Sequence, residues 1–187
     1  MSRDRAAWFE TLDVRELYSG RSTVRLETVR TPDGHDVERE IVDHDDAVAV
    51  VPVTDDDQVL LLKQYRQPVR GYLLEIPAGT LDVDGEDATA AARREMIEEL
   101  HHDVTDLTFL TTFHNSAGWT TERTHLYLGR GLHRTSPPDD FVAKAEEADM
   151  EVVPMALADA IAAARGGEFV DAKTALGLLL AAPHLGQ

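Results

Sequence analysis

The stretch Gly79 to Val104, G-T-L-D-V-D-G-E-D-A-T-A-A-A-R-R-E-M-I-E-E-L-H-H-D-V, constrains this chain more than any other. Its centre is R-E-M-I-E-E at 94 to 99. The pattern predicts a helix over 86 to 100, in which each residue advances about 100°. With Glu95 set at about 0°, Glu99 falls near 40° and Glu98 near −60°, so three carboxylates share roughly a 100° arc. The pairs Glu95/Glu99 and Glu95/Glu98 are like-charge neighbours, each costing a few tenths of a kcal/mol (~0.2–0.5). Ala88, Ala91 and Ala92 are expected on that same face, with no long cation to neutralise it. Met96, Ile97 and Leu100 are expected to form the opposite, core-facing stripe. Two readings of the acids stand at this point. One is a solvated face, the usual fate of a charge run. The other is a divalent-cation site, since Mg²⁺ and Mn²⁺ prefer carboxylate and carbonyl oxygens and leave positions open for water and phosphates.

The rest of the chain supplies a fold around this helix. Thr23–Arg30 alternates like a strand, Pro32-Asp33-Gly34 is a turn signal, and Asp36–Asp43 returns as the second strand of a hairpin. Ala47 to Val53 is a continuous run rich in β-branched residues, which suits a strand buried on both faces. Val59–Arg66 is the next strand and carries Arg66 to its end. Leu73–Ile76 is a short strand, and Pro77-Ala78-Gly79 is expected to be a constrained loop. Beyond the acidic helix, strands are expected at 107–113, 124–129 and 151–154, and helices at 157–165 and 171–182. Leu176, Leu178, Leu179 and Leu180 are the core candidates of the last helix. Residues 1–17 are mixed and charged, with Trp8 and Phe9 as possible anchors. Residues 133–150 read as a mobile surface excursion. This order argues for one α/β domain, a mixed sheet between helical layers.

Composition narrows the function. The 35 acidic and 18 basic side chains give a formal net charge of −17, which opposes non-specific binding to nucleic acid or anionic membrane. An anionic substrate therefore needs a metal or a few placed arginines to offset this field. With no cysteine, thiol catalysis is excluded. No apolar signal core or membrane-length run is found, so a cytoplasmic protein is expected. The Gly-rich dinucleotide and P-loop patterns are absent.

Gly79–Leu100 resembles the box of the Nudix hydrolases, G-x5-E-x7-R-E-U-x-E-E-x-G-U with U a bulky aliphatic residue. Glu86, Arg94, Glu95, Met96, Glu98 and Glu99 match in order. Two positions depart from it. Six residues, not five, separate Gly79 from Glu86, and His101 stands where the family has glycine. The glycine serves a left-handed helix end, which histidine adopts at some cost. Arg39-Glu40-Ile41, Q-Y-R at 64–66, L-E-I-P-A-G at 74–79, S-A-G-W-T-T-E at 116–122 and D-A-K-T at 171–174 are similar to the ADP-ribose pyrophosphatase branch.

The resemblance implies a Nudix-type α/β/α sandwich. Residues 14–45 would form an N-terminal hairpin region that joins a homodimer, and 46–187 the catalytic core. It implies Mg²⁺ or Mn²⁺, two or three ions per site, held by Glu95, Glu98, Glu99 and the Ala78 carbonyl. Arg94 would orient the glutamates, and Glu122 would deprotonate or orient the attacking water, or else ligate a metal. Arg66 would pair with a substrate phosphate. Glu75 would accept hydrogen bonds from substrate or orient the site. Arg39 and Glu40 would contact the adenine end across the dimer, with Gly118 and Trp119 beside the terminal ribose. The implied reaction is hydrolysis of ADP-ribose to AMP and ribose 5-phosphate. Rivals are another nucleoside diphosphate derivative, such as a nucleotide sugar, a dinucleoside polyphosphate or NADH, and a non-catalytic ADP-ribose sensor. All three box glutamates are present, and a sensor would be free to lose them.

Overall fold

The computed structural model describes residues 9–139, 141–142 and 148–187. Trp8 and part of the 133–150 excursion lie outside the described residues. The chain divides into two compact units. One comprises the residues up to Asp46 together with His114–Arg123, and the other comprises Ala47–Phe113 and Thr124–Gln187.

The first unit is a three-stranded antiparallel sheet of β1 (Glu10–Ser19), β2 (Thr23–Arg30) and β3 (Asp36–Asp43). The expected hairpin β2–β3 forms, with Thr23 opposite Asp43 and Arg30 opposite Asp36. Its turn closes through the Gly34 N–H donating to the Thr31 carbonyl, with Gly34 at φ 88°, a conformation glycine adopts without strain. Strand β1 is an element that the mixed, charged stretch at residues 1–17 did not announce. Every one of its residues is exposed, and its register with β2 shifts twice, between Thr11 and Asp13 and between Glu16 and Tyr18. A strand with no buried face leaves no period of two to read.

The second unit is built on two sheets. One has the order β10-β5-β6 and the other β7-β4-β9-β8. Their strands are β4 (Ala47–Pro52), β5 (Gln58–Arg66), β6 (Gly71–Glu75), β7 (Ala78–Thr80), β8 (His102–His114), β9 (Arg123–Arg134) and β10 (Glu151–Ala156). The β-branched run at 47–53 folds as expected, and the alternation of β4 explains the layering. Val48 and Val50 point into one core cluster, with Leu60, Leu62, Val104 and Tyr127. Ala49 and Val51 point into the other, with Leu61, Leu126 and Leu128. Helix α1 (Ala88–Leu100) covers the first cluster with Ala91, Ala92, Met96 and Leu100. Helices α2 (Leu157–Gly166) and α3 (Ala172–Ala181) cover the second with Leu157, Ile161 and Leu178. A sheet buried on both faces between helices is the sandwich expected for this unit. Each fully buried Val or Leu contributes about 1.5–3 kcal/mol to holding it.

Three local expectations are corrected. Residues 78–80 are not an irregular loop but the strand β7, which pairs antiparallel with β4. In α3, Leu178 is core, whereas Leu179 is exposed. In α1 the acids do not lie opposite the core stripe. Ala91, Ala92, Glu95, Met96 and Leu100 are all buried, so Glu95 lies within the buried arc and Ile97 at its margin.

Candidate active site

Asp87 starts α1, its Oδ1 accepting from the backbone N–H groups of Thr89 (2.8 Å) and Ala90 (2.9 Å). This N-cap satisfies two of the amides left open at a helix start. Glu86 therefore lies just outside the helix. His101 ends it at φ 57°, ψ 35°, with its N–H donating to the Ile97 and Met96 carbonyls. The chain thus forms the left-handed end that glycine normally serves, with a histidine in place.

Between these ends, β7 runs against the acidic face. The Ala78 N–H donates to Glu99 Oε2 at 3.0 Å. Gly79 lies so close to Glu95 that a Cβ there would stand 1.9 Å from its Cδ. Only a residue without a side chain lets the strand and the carboxylate approach in this way. Glu95 is 8% exposed.

Arg94 supplies the cation that the helical wheel seemed to lack. Its Nε donates to both Glu86 oxygens at 3.2 Å, and its Nη1 to Glu95 Oε1 at 2.6 Å and Glu98 Oε2 at 3.1 Å. Burial opposes its charge, but these carboxylates outweigh burial and hold the guanidinium more firmly protonated than usual. The arginine thus fixes three box glutamates at once.

The acids pay for their position. Burial pushes Glu95 up to about 7, with Glu98 adding to the rise and Arg94 opposing it. Burial, then the Glu95 charge, pushes Glu99 up to about 8, against the Ala78 N–H and the charges of Arg66 and Lys173. Two desolvated, mutually repelling carboxylates beside a backbone strand suit a hard divalent cation, which would reverse both penalties. The donors are all oxygen, and the missing Cβ of Gly79 keeps the space beside Glu95 open. Among the described residues, no three acidic or histidine side chains stand as a preformed coordination sphere. Glu95 and Glu98 are turned onto Arg94.

The same glutamates and His101 line a cavity of about 220 Å³. Its apolar lining comes from Phe141, Met150 and Val152. Phe141 and Met150 of the 133–150 excursion thus line the same cavity as the acids.

Behind the glutamates, Arg66 reaches Glu75 through two parallel bonds, Nε to Oε1 (2.8 Å) and Nη2 to Oε2 (2.7 Å). Glu75 is 2% exposed and also accepts from Lys173. Burial raises its proton affinity, but the two cations outweigh this and lower it overall. Both Glu75 oxygens are thereby taken by protein cations. Lys173 was not singled out in the sequence. Its signal was present in D-A-K-T, but its partner Glu75 is 98 residues away.

The other candidates belong to the first unit. The loop between β8 and β9 is stitched to β3, as the Val42 N–H donates to the Trp119 carbonyl (2.7 Å) and the Thr121 N–H to the Val42 carbonyl (3.0 Å). Glu122 is half-buried there, its N–H donating to Thr120 Oγ1 and its carbonyl accepting from Asn115. Trp119 is 56% exposed, and Gly118 has open space around its Cα. Arg39 and Glu40 are exposed on β3, opposite Glu27 and Leu26.

The family model for the NUDIX domain matches residues 43–173. The chain is 35% identical over 175 residues to an ADP-ribose pyrophosphatase of Bacillus subtilis (strain 168), covering 90% of each. It is 31% identical over 170 residues to a methanol dehydrogenase activator of Bacillus methanolicus, again covering 90% of each. Among solved structures, an ADP compounds hydrolase superposes with a TM-score of 0.80 at 23% identity, over 95% of this chain and 94% of that one.

Proposed function

The chain belongs to the Nudix family, and from that premise we propose that it hydrolyses the pyrophosphate bond of ADP-ribose, giving AMP and ribose 5-phosphate. The observation that carries the reading is the pair of buried Glu95 and half-buried Glu99 on one face of α1, with β7 pressed against both. A sensor would have no need to keep three box glutamates and the arginine that binds Glu86, Glu95 and Glu98 together. The ADP-ribose pyrophosphatase relative, matched over 90% of its length, favours ADP-ribose over other members of the class.

In this reading Glu95, Glu98, Glu99 and the Ala78 carbonyl hold Mg²⁺ or Mn²⁺, two or three ions in all. Such ions neutralise phosphate charge and make water a better nucleophile at neutral pH. Arg94 keeps the glutamates in register. Arg66, its plane set by Glu75, offers its remaining N–H donors to a substrate phosphate. Glu75 serves by orientation, since both its oxygens are occupied. Glu122 takes the proton of the attacking water, and Arg39, Glu40, Gly118 and Trp119 contact the nucleoside and ribose ends. These last roles rest on the family resemblance.

We also infer a homodimer joined through the N-terminal strands. Strand β1 exposes Leu12, Val14, Leu17 and Tyr18 beside Phe9, more apolar area than a solvated strand usually shows. Among the described residues, no helix is long and apolar enough to cross a membrane.

The test is turnover of ADP-ribose, ADP-glucose, UDP-glucose, GDP-mannose, diadenosine polyphosphates and NADH with Mg²⁺ and then Mn²⁺, products resolved by chromatography. The reading expects AMP and ribose 5-phosphate, a kcat/KM for ADP-ribose well above the others, and loss of turnover with EDTA. Faster turnover of another substrate would overturn the assignment of ADP-ribose while keeping the metal chemistry.

A further inference from the structure

The first turn of α3 carries five charged or polar contacts that the hydrolytic residues do not account for. Asp171 caps the helix, its Oδ2 accepting from the Thr174 N–H (3.0 Å) and hydroxyl (2.5 Å). Its other oxygen accepts from Lys173 Nζ at 2.9 Å. Lys173 Nζ also donates to Glu75 Oε2, the oxygen that accepts from Arg66 Nη2. Fully buried Thr174 accepts from the Ile76 N–H at 2.8 Å.

The two contacts that leave α3 reach different parts of the site. Glu75 ends β6, and Ile76 and Pro77 lead straight into β7, where the Ala78 N–H meets Glu99. Thr174 thus pins the backbone one step before the proline. Lys173 acts on side chains instead. A bidentate guanidinium–carboxylate pair can still shift as one unit, whereas a second cation from another direction anchors the pair. The Arg66 guanidinium is planar and bonded to Glu75 through two nitrogens, so fixing Glu75 fixes the direction of the Arg66 N–H groups that remain.

We propose that Lys173 is a positioning residue of the hydrolytic site, holding Glu75 so that the Arg66 guanidinium meets a substrate phosphate in one orientation. The inference rests on the reading of Arg66 as the phosphate-pairing arginine. Lys173 does not touch substrate in this account. Its ammonium is spent on Glu75 and Asp171, and its side chain is 16% exposed.

The consequence is a coupling between Lys173 and Arg66. An arginine that pairs with a phosphate in ground and transition states alike lowers KM more than it raises kcat. Lys173→Met should therefore raise KM by about 10-fold or more, with kcat changed by less than about threefold. Lys173→Arg, which keeps the charge, should return KM to within about threefold of wild type. In an Arg66→Ala background, Lys173→Met should change KM by less than about twofold, because the group it positions is gone. A merely structural lysine would move thermal stability equally in both backgrounds and leave no such coupling in KM.

The cycle is run on whichever member of the substrate panel the wild type hydrolyses best, so that losing ADP-ribose as substrate would overturn that assignment without touching this one. Circular dichroism checks folding. If Lys173→Met does not fold, Lys173→Gln carries the same cycle, since it drops the charge and keeps a donor for Glu75. An unchanged KM in the single variant, or an equal rise in KM in both backgrounds, overturns the proposal.

Discussion

Gly79→Ala is the smallest change that should disable the site. Gly79 is not in a left-handed conformation, so alanine meets no backbone strain there. The steric conflict is severe. A Cβ would stand 1.9 Å from Glu95 Cδ, 2.0 Å from Oε1 and 2.3 Å from Oε2. Ordinary contact needs about 3.4 Å or more, so the carboxylate must move by about 1.5 Å. It cannot swing freely, because Glu95 is buried and held by Arg94 at 2.6 Å. Ligand distances to a metal tolerate about 0.2 Å, and a 1 Å misplacement of reacting groups can cost about 10²-fold. We therefore expect kcat to fall by about 10²-fold or more, with about 1–3 kcal/mol of lost stability from overpacking. Steady-state kinetics with saturating Mg²⁺, alongside urea denaturation, measures both. A kcat within about threefold of wild type would refute the argued contact between Gly79 and Glu95.

Other outcomes follow from the same structure. Glu95 and Glu99 are raised to about 7 and about 8, so the folded protein keeps protons that the unfolded chain releases above about 4.5. With EDTA present, their contribution to stability is full below that value and is lost as pH rises through 7 to 8. Added Mg²⁺ should restore it, most at the alkaline end, as read from urea midpoints across pH; a flat metal-free profile would count against it. His101→Gly relieves a left-handed residue at φ 57° and should stabilise by about 1 kcal/mol, a rise in Tm of about 2–4 °C; a lower Tm would contradict it. Thr174→Val leaves the buried Ile76 N–H without its acceptor and should cost about 1–3 kcal/mol in chemical denaturation.

Much of this was legible in the chain itself, for physical reasons that differ by element. The β4 run was readable because a strand between two helical layers must be apolar on both faces, and Val48 to Val51 are. The box was readable because its chemistry needs acids at fixed helical spacing. Strand β1 was not, since all its residues are exposed and its register slips twice. Strand β7 escaped because three residues hold no period, and its existence depends on pairing with β4. The wheel placed the three acids together but put Glu95 opposite the core, since its burial depends on β7 lying across it. Arg94 looked remote on the wheel, yet a long side chain can fold back over its own helix. Lys173 was hidden because its meaning lies in Glu75, nearly a hundred residues earlier.

The central claim is that the glutamates of α1 are the chemical centre of the protein. The most direct measurement is the kcat of Glu99→Gln against wild type, on the best substrate and with saturating Mg²⁺. The substitution keeps the size of the side chain and removes its charge. The account predicts a loss of several orders of magnitude with an unchanged far-ultraviolet dichroism spectrum, and near-normal turnover would contradict it.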